Sequence, residues 1–138
     1  MVSSKVTWFG GKQFVGVDSS KHSVVMSTQD EENGVGMKPS DLLLVALGGC
    51  SSVDVVNILR KKRQHLTGLE IEISGAQDPD PPWSFRKIQV VYTLRGRGLT
   101  EKAVSDAIKL SEDKYCSVKA TLNKSVDIDT EYRIIEEG

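Results

Sequence analysis

Cys50 and Cys116 carry the most reactive side-chain chemistry in this sequence. A thiolate is a nucleophile; it can be oxidised to a sulfenic acid and then closed into a disulfide by a second thiol. Cys50 stands in GGCSSVD, directly after Gly48 and Gly49. Two glycines inside a helix cost roughly 1 kcal/mol each against alanine, which makes sense where another backbone or a substrate comes close. Cys116 stands in DKYCSVKATL, at an expected helix start, where backbone N–H groups lower a thiol pKa. A free cysteine is also a small core hydrophobe, and composition alone leaves that reading open for both.

Other polar groups surround this pair in the sequence. Asp54 follows Cys50 by one helical turn and shares its face. A carboxylate beside a thiol raises its pKa, so an orienting or core hydrogen-bonding role suits Asp54 better than activation. Ser51 and Ser52 could bond a thiolate or bond backward into the helix. Asp41 suits the first turn of a helix through the helix dipole. His22 reads as a solvated turn histidine and His65 as a helix-end residue. With only these two histidines, a histidine-rich metal site is excluded and no cofactor is implied. There is no phosphate-binding GxxxxGK[ST], no GxGxxG before a helix and no GxSxG.

The elements that must position these groups follow from the patterning. Lys5–Phe9 alternates, Gly10-Gly11 suits a tight turn, and Gln13–Val17 returns as a hairpin partner. Ser23–Ser27 reads as a third strand and residues 28–38 as a polar loop. Pro39 opens a helix that the basic run Arg60–Arg63 closes, about 37 Å long at 1.5 Å per residue. Its run Leu42–Leu47 is apolar on every face, so the helix should be buried all round, and a partner subunit is expected to cover part of it. Leu69, Ile71 and Ile73, then Ile88, Val90, Tyr92 and Leu94, alternate with polar residues as half-buried strands. Thr100 caps a helix with Ala103, Val104, Ala107, Ile108 and Leu110 on one stripe. A short helix runs from Cys116 to Leu122, and Val126, Ile128, Tyr132 and Ile134 make a last strand. Strands, a long helix, strands, helices and a strand define an α+β chain, read as one domain over residues 1–138.

Composition narrows the function. Of 138 residues, 38% are hydrophobic and 27% charged, enough for a core. A net charge of -1 gives no basic excess for a nucleic-acid or anionic-membrane partner. The apolar stretch Leu42–Val56, about fifteen residues with Asp54 inside it, falls short of a membrane span. The N-terminus lacks an apolar signal block, so a cytoplasmic location is expected.

PSDLLLVALGGCSSVDVVNILRKKR, residues 39–63, resembles the signature of the OsmC/Ohr superfamily, and LSEDKYCSVKATL resembles its second cysteine motif. With the early K-V-x-W stretch and the strand layout, the resemblance covers nearly the whole chain, nearer the OsmC-like branch than the organic hydroperoxide resistance branch. It implies an intertwined homodimer in which long central helices pack against antiparallel sheets, with sites at the subunit interface. It also implies a thiol-dependent hydroperoxide reductase, or a related two-cysteine redox protein of oxidative-stress defence. Cys50 would attack the peroxide, Cys116 would resolve the sulfenic acid, and a dithiol would reduce the disulfide. The alternative is a non-enzymatic dimer binding a small apolar or thiol ligand at the interface; sulfurs too far apart to pair would favour it. Two departures from the peroxidase pattern matter. Ser40 follows Pro39 where those branches have glutamate, with Asp41 one place later and about 100° around the helix. No arginine precedes Arg60, leaving Lys12, Lys21 and His22 as basic candidates. Asp41, His22 and Ser40 are therefore the candidate supporting residues, and an elevated Cys50 pKa is expected.

Overall fold

The computed structural model describes residues 2–138. The order of elements is β1 (Lys5–Gly10), β2 (Gln13–Val17), β3 (Ser23–Ser27), α1 (Pro39–Lys61), β4 (His65–Gln77), β5 (Phe85–Arg97), α2 (Glu101–Leu110), a π-helical turn (Ser111–Tyr115), α3 (Ser117–Leu122) and β6 (Asp127–Glu136). The chain forms two compact units, one ending at Leu43 and the other running Leu44–Gly138.

The first unit is a three-stranded antiparallel meander, β1-β2-β3, with Lys5 opposite Val17 and Gln13 opposite Ser27. Gly10 and Gly11 turn between β1 and β2 at φ 108° and 56°, where a side chain would be strained. The 28–38 loop is held by Asp30, which accepts from the Asn33 backbone and side chain at 2.9 and 2.8 Å. The first turn of α1 begins here, with Pro39 at its start and Asp41 on its positive end.

The second unit carries the core. Along β5, Ile88, Val90, Tyr92 and Leu94 all point inward and are buried. They form one apolar cluster with Leu47, Val55 and Leu59 of α1 and Val104, Ala107 and Ile108 of α2. Each fully buried aliphatic side chain stabilises the fold by about 1.5–3 kcal/mol. Thr100 caps α2 as expected, accepting from the Ala103 N–H at 3.1 Å. Leu110, expected on the buried stripe, is exposed instead.

Four expectations need correction. The sheet β4-β5-β6 is mixed, not antiparallel: β6 pairs parallel with β5. A parallel pair needs a crossover, and α2, the π-helical turn and α3 supply it. α1 ends at Lys61 rather than Arg63, because Arg63 adopts a left-handed φ of 56° and the Gln64 N–H reaches back to the Leu59 carbonyl. This is a Schellman-type stop made without the usual glycine. His65 therefore opens β4 and does not end the helix. Finally, α1 is long and apolar enough to span a bilayer by length and composition, with mean hydropathy 2.0. Its Leu47, Val55 and Leu59 nevertheless line the core, and its Asp54 accepts a hydrogen bond from Ser111.

Candidate functional site

Gly48 shows why α1 carries a glycine before Cys50. A Cβ there would come within 2.5 Å of Ile73 Cδ1, so β4 packs directly on the helix at this point. A Cβ at Gly49 would meet nothing within 4 Å in this chain. Cys50, next along, is partly buried, whereas Cys116 is 2% exposed; both are free thiols.

Cys116 sits at a junction. Its backbone N–H closes the π-helical turn on the Ser111 carbonyl at 2.7 Å, and its sulfur caps α3 by accepting from the Lys119 N–H at 3.4 Å. The Ser51 hydroxyl also donates to that sulfur, at 3.7 Å. π-Helical turns inside helices often mark functional sites, since they re-aim side chains. Here the turn brings Cys116 against α1 beside Cys50, where Ser51, the next residue along, reaches its sulfur.

The two thiols are shifted in opposite directions. Burial on its own raises the Cys50 thiol. The Val118 N–H, the Cys116 thiol, and the hydroxyl and N–H of Ser117 together outweigh it, so Cys50 lies below its ordinary value. Burial raises the Cys116 thiol, and its bond to Cys50 adds to that, against the Lys119 N–H and the Ser51 hydroxyl. The expected elevation of Cys50 is thus overturned. The missing arginine is a missing side chain, but the donors that serve Cys50 include backbone N–H groups that every sequence carries.

Behind Cys116 lies a polar cluster that sequence reasoning missed. Glu112 is 8% exposed. It accepts from the Tyr92 hydroxyl at 2.6 Å, from Lys119 Nζ at 2.7 Å and from the Thr130 hydroxyl at 2.7 Å. Burial first, and then the bond to Glu112, push the Tyr92 phenol far above its ordinary value, so it stays a donor. One signal was visible: a tyrosine on the inward face of β5 must find a partner for its hydroxyl.

The remaining candidates fall out as follows. Ser51 serves Cys116, and Ser52 bonds backward to the Gly48 carbonyl at 2.7 Å. Asp54 accepts from Ser111 at 3.4 Å, a core hydrogen bond and not a contact with a thiol. Ser40 and Asp41 lie in the first turn of α1, and His22 stands just before β3 with its Nδ1 2.8 Å from the Ser20 hydroxyl. These three belong to the first unit and both cysteines to the second. Among the described residues no cluster of three or more His, Cys, Asp or Glu side chains could hold a metal ion.

A mixed-sheet α+β chain with one cysteine on a long central helix and another at a helix cap has OsmC/Ohr architecture. The family model described as OsmC-like protein matches residues 29–131, and the chain belongs to that family. It is 34% identical over 134 residues to the protein YhfA of Escherichia coli (strain K12), covering 97% of this chain and 98% of the relative. Among solved structures it is similar to a hypothetical protein from Aquifex aeolicus VF5, at TM-score 0.89 and 29% identity over 100% of this chain and 98% of that one. It also shares its fold with an organic hydroperoxide resistance protein OsmC from Legionella pneumophila, at TM-score 0.68 and 12% identity over 96% of each chain.

Proposed function

We propose that this chain is a thiol-dependent reductase of organic hydroperoxides, or a related two-cysteine redox protein, in which Cys50 attacks and Cys116 resolves. The observation that carries the reading is the seating of Cys116 beside Cys50, with Ser51 reaching the Cys116 sulfur at 3.7 Å, and with Cys50 shifted down and Cys116 shifted up. The name of the Legionella neighbour points to the same chemistry.

The steps balance as follows. The Cys50 thiolate attacks the peroxide oxygen, the O–O bond breaks, and the alkoxide leaves and takes a proton to become an alcohol. Cys50 is then a sulfenic acid. The Cys116 sulfur attacks it, forming the S–S bond and releasing water. A dithiol reductant exchanges with that disulfide and returns both thiols. The N–H groups of Ser117 and Val118 stabilise the attacking thiolate. The raised Cys116 pKa keeps the resolving thiol protonated until Cys50 has been oxidised.

Other parts of the proposal rest on exposure and charge. Along α1, Val45, Gly49 and Val53 recur every four residues, and Val45 and Val53 are 52% and 62% exposed. Together with exposed Val6, Trp8 and Phe9 on β1, they support a homodimer, acting as one OsmC-like domain per chain. Two free cysteines suit a reducing cytoplasm. Ser40, Asp41 and His22 stay candidate supports for Cys50. The experiment is hydroperoxide consumption with a dithiol present: Cys50→Ser should abolish it, and undiminished turnover in that variant would end the reading. One feature favours binding without turnover, an apolar cavity of about 410 Å³ in the first unit, lined by Val6, Val17, Val24, Met26 and Leu42. On that reading the unaltered chain would bind an apolar ligand and leave hydroperoxide intact.

A further inference from the structure

Glu112 lies one element before Cys116, on the π-helical turn, and Lys119 lies one element after it, on α3. Their ion pair, 2.7 Å long and with side chains 6% and 15% exposed, closes across the cysteine like a clasp. The clasp is anchored to the sheet from two strands, by Tyr92 of β5 and Thr130 of β6. The segment it encloses contains Ser117 and Val118, whose backbone lies near Cys50 and lowers its thiol pKa. It also contains the cap in which the Lys119 N–H meets the Cys116 sulfur.

We propose that Glu112 and Lys119 are positioning residues: their buried ion pair fixes the π-helical turn against α3 and so holds the Ser117 and Val118 N–H groups on Cys50. Neither side chain touches the Cys50 sulfur. Breaking a buried pair leaves one charge uncompensated, so the segment rearranges to bring water to it. The N–H donors then leave the thiol. The groups facing Glu112 are Tyr92, Thr130 and Lys119, and the titratable group facing Cys50 is Cys116.

This inference rests on the redox reading of the same site, but its test needs no hydroperoxide. Alkylation of Cys50 by iodoacetamide, followed peptide by peptide across pH, reports the thiolate directly. In Glu112→Gln and in Lys119→Met the midpoint should rise by about one pH unit, slowing alkylation near neutrality about tenfold. The double variant Glu112→Gln/Lys119→Met removes both charges at once, a change that buried pairs often tolerate, and it should show the same rise. Lys119→Arg keeps the charge and should bring the profile back toward that of the unaltered chain. Folded single or double variants with an unshifted Cys50 profile would overturn the inference. A chain that alkylates as expected yet consumes no hydroperoxide would refute the redox reading and leave the clasp standing.

Discussion

At the scale of single residues, the proposal turns on two thiols shifted in opposite directions. A group whose folded pKa is lowered binds fewer protons when folded, so its contribution to stability is present above the unfolded value and lost as pH falls through the folded one. Cys50 is such a group, and Cys116, with its raised pKa, is the opposite. The rate of the first step should therefore climb with pH to a plateau whose midpoint lies below that of the same thiol in the urea-unfolded chain. Stopped-flow measurement on Cys116→Ser isolates this step: one turnover, with a sulfenic acid on Cys50 that a dimedone probe traps. A midpoint above that of the unfolded chain would mean that the N–H groups of Ser117 and Val118 do not reach the thiolate. Both cysteines were legible from residue type and motif. The cause of the downward shift at Cys50 was not, because backbone donors leave no mark in a sequence.

At the scale of elements, the short stretch from Ser111 to Leu122 does most of the positioning. Its π-helical turn puts Glu112 under the sheet, where Tyr92 and Thr130 meet it. A hydrogen bond to a charged group is worth about 1.5–3 kcal/mol. Tyr92→Phe removes that bond while Lys119 and Thr130 still satisfy the other carboxylate oxygen, so urea denaturation should show a loss of about this size. An unchanged midpoint would show that water replaces the hydroxyl at no cost. The period-two strands and the Thr100-capped helix were readable because their patterns repeat. The burial of Glu112 left no pattern in the sequence, since it depends on partners some twenty residues away in β5 and β6. The parallel pairing of β6 was hidden for a similar reason: alternation identifies a strand but not its direction.

At the scale of the whole molecule, α1 presents more apolar surface than one chain covers. A helix with Val45, Gly49 and Val53 exposed on one line invites close approach by a second copy, and the absence of any Cβ at Gly49 would let backbones meet there. Sedimentation at micromolar concentration should find a dimer, and Val53→Asp should shift it toward monomer by placing a charge in the contact. A stable monomer in the unaltered chain would refute the dimer. The apolar run that suggested a partner was plain in the sequence. Which of its faces stays uncovered depended on seeing Leu47, Val55 and Leu59 turned into the core. The central claim, that Cys50 and Cys116 act as one redox pair, is tested most directly by adding one equivalent of an organic hydroperoxide to the reduced protein and mapping its peptides by mass spectrometry. The account predicts a single Cys50–Cys116 crosslinked peptide, two hydrogens lighter than the separate thiols and reversed by a dithiol. Two intact thiols, or a Cys50 oxidised onward to sulfinic acid with Cys116 untouched, would contradict it.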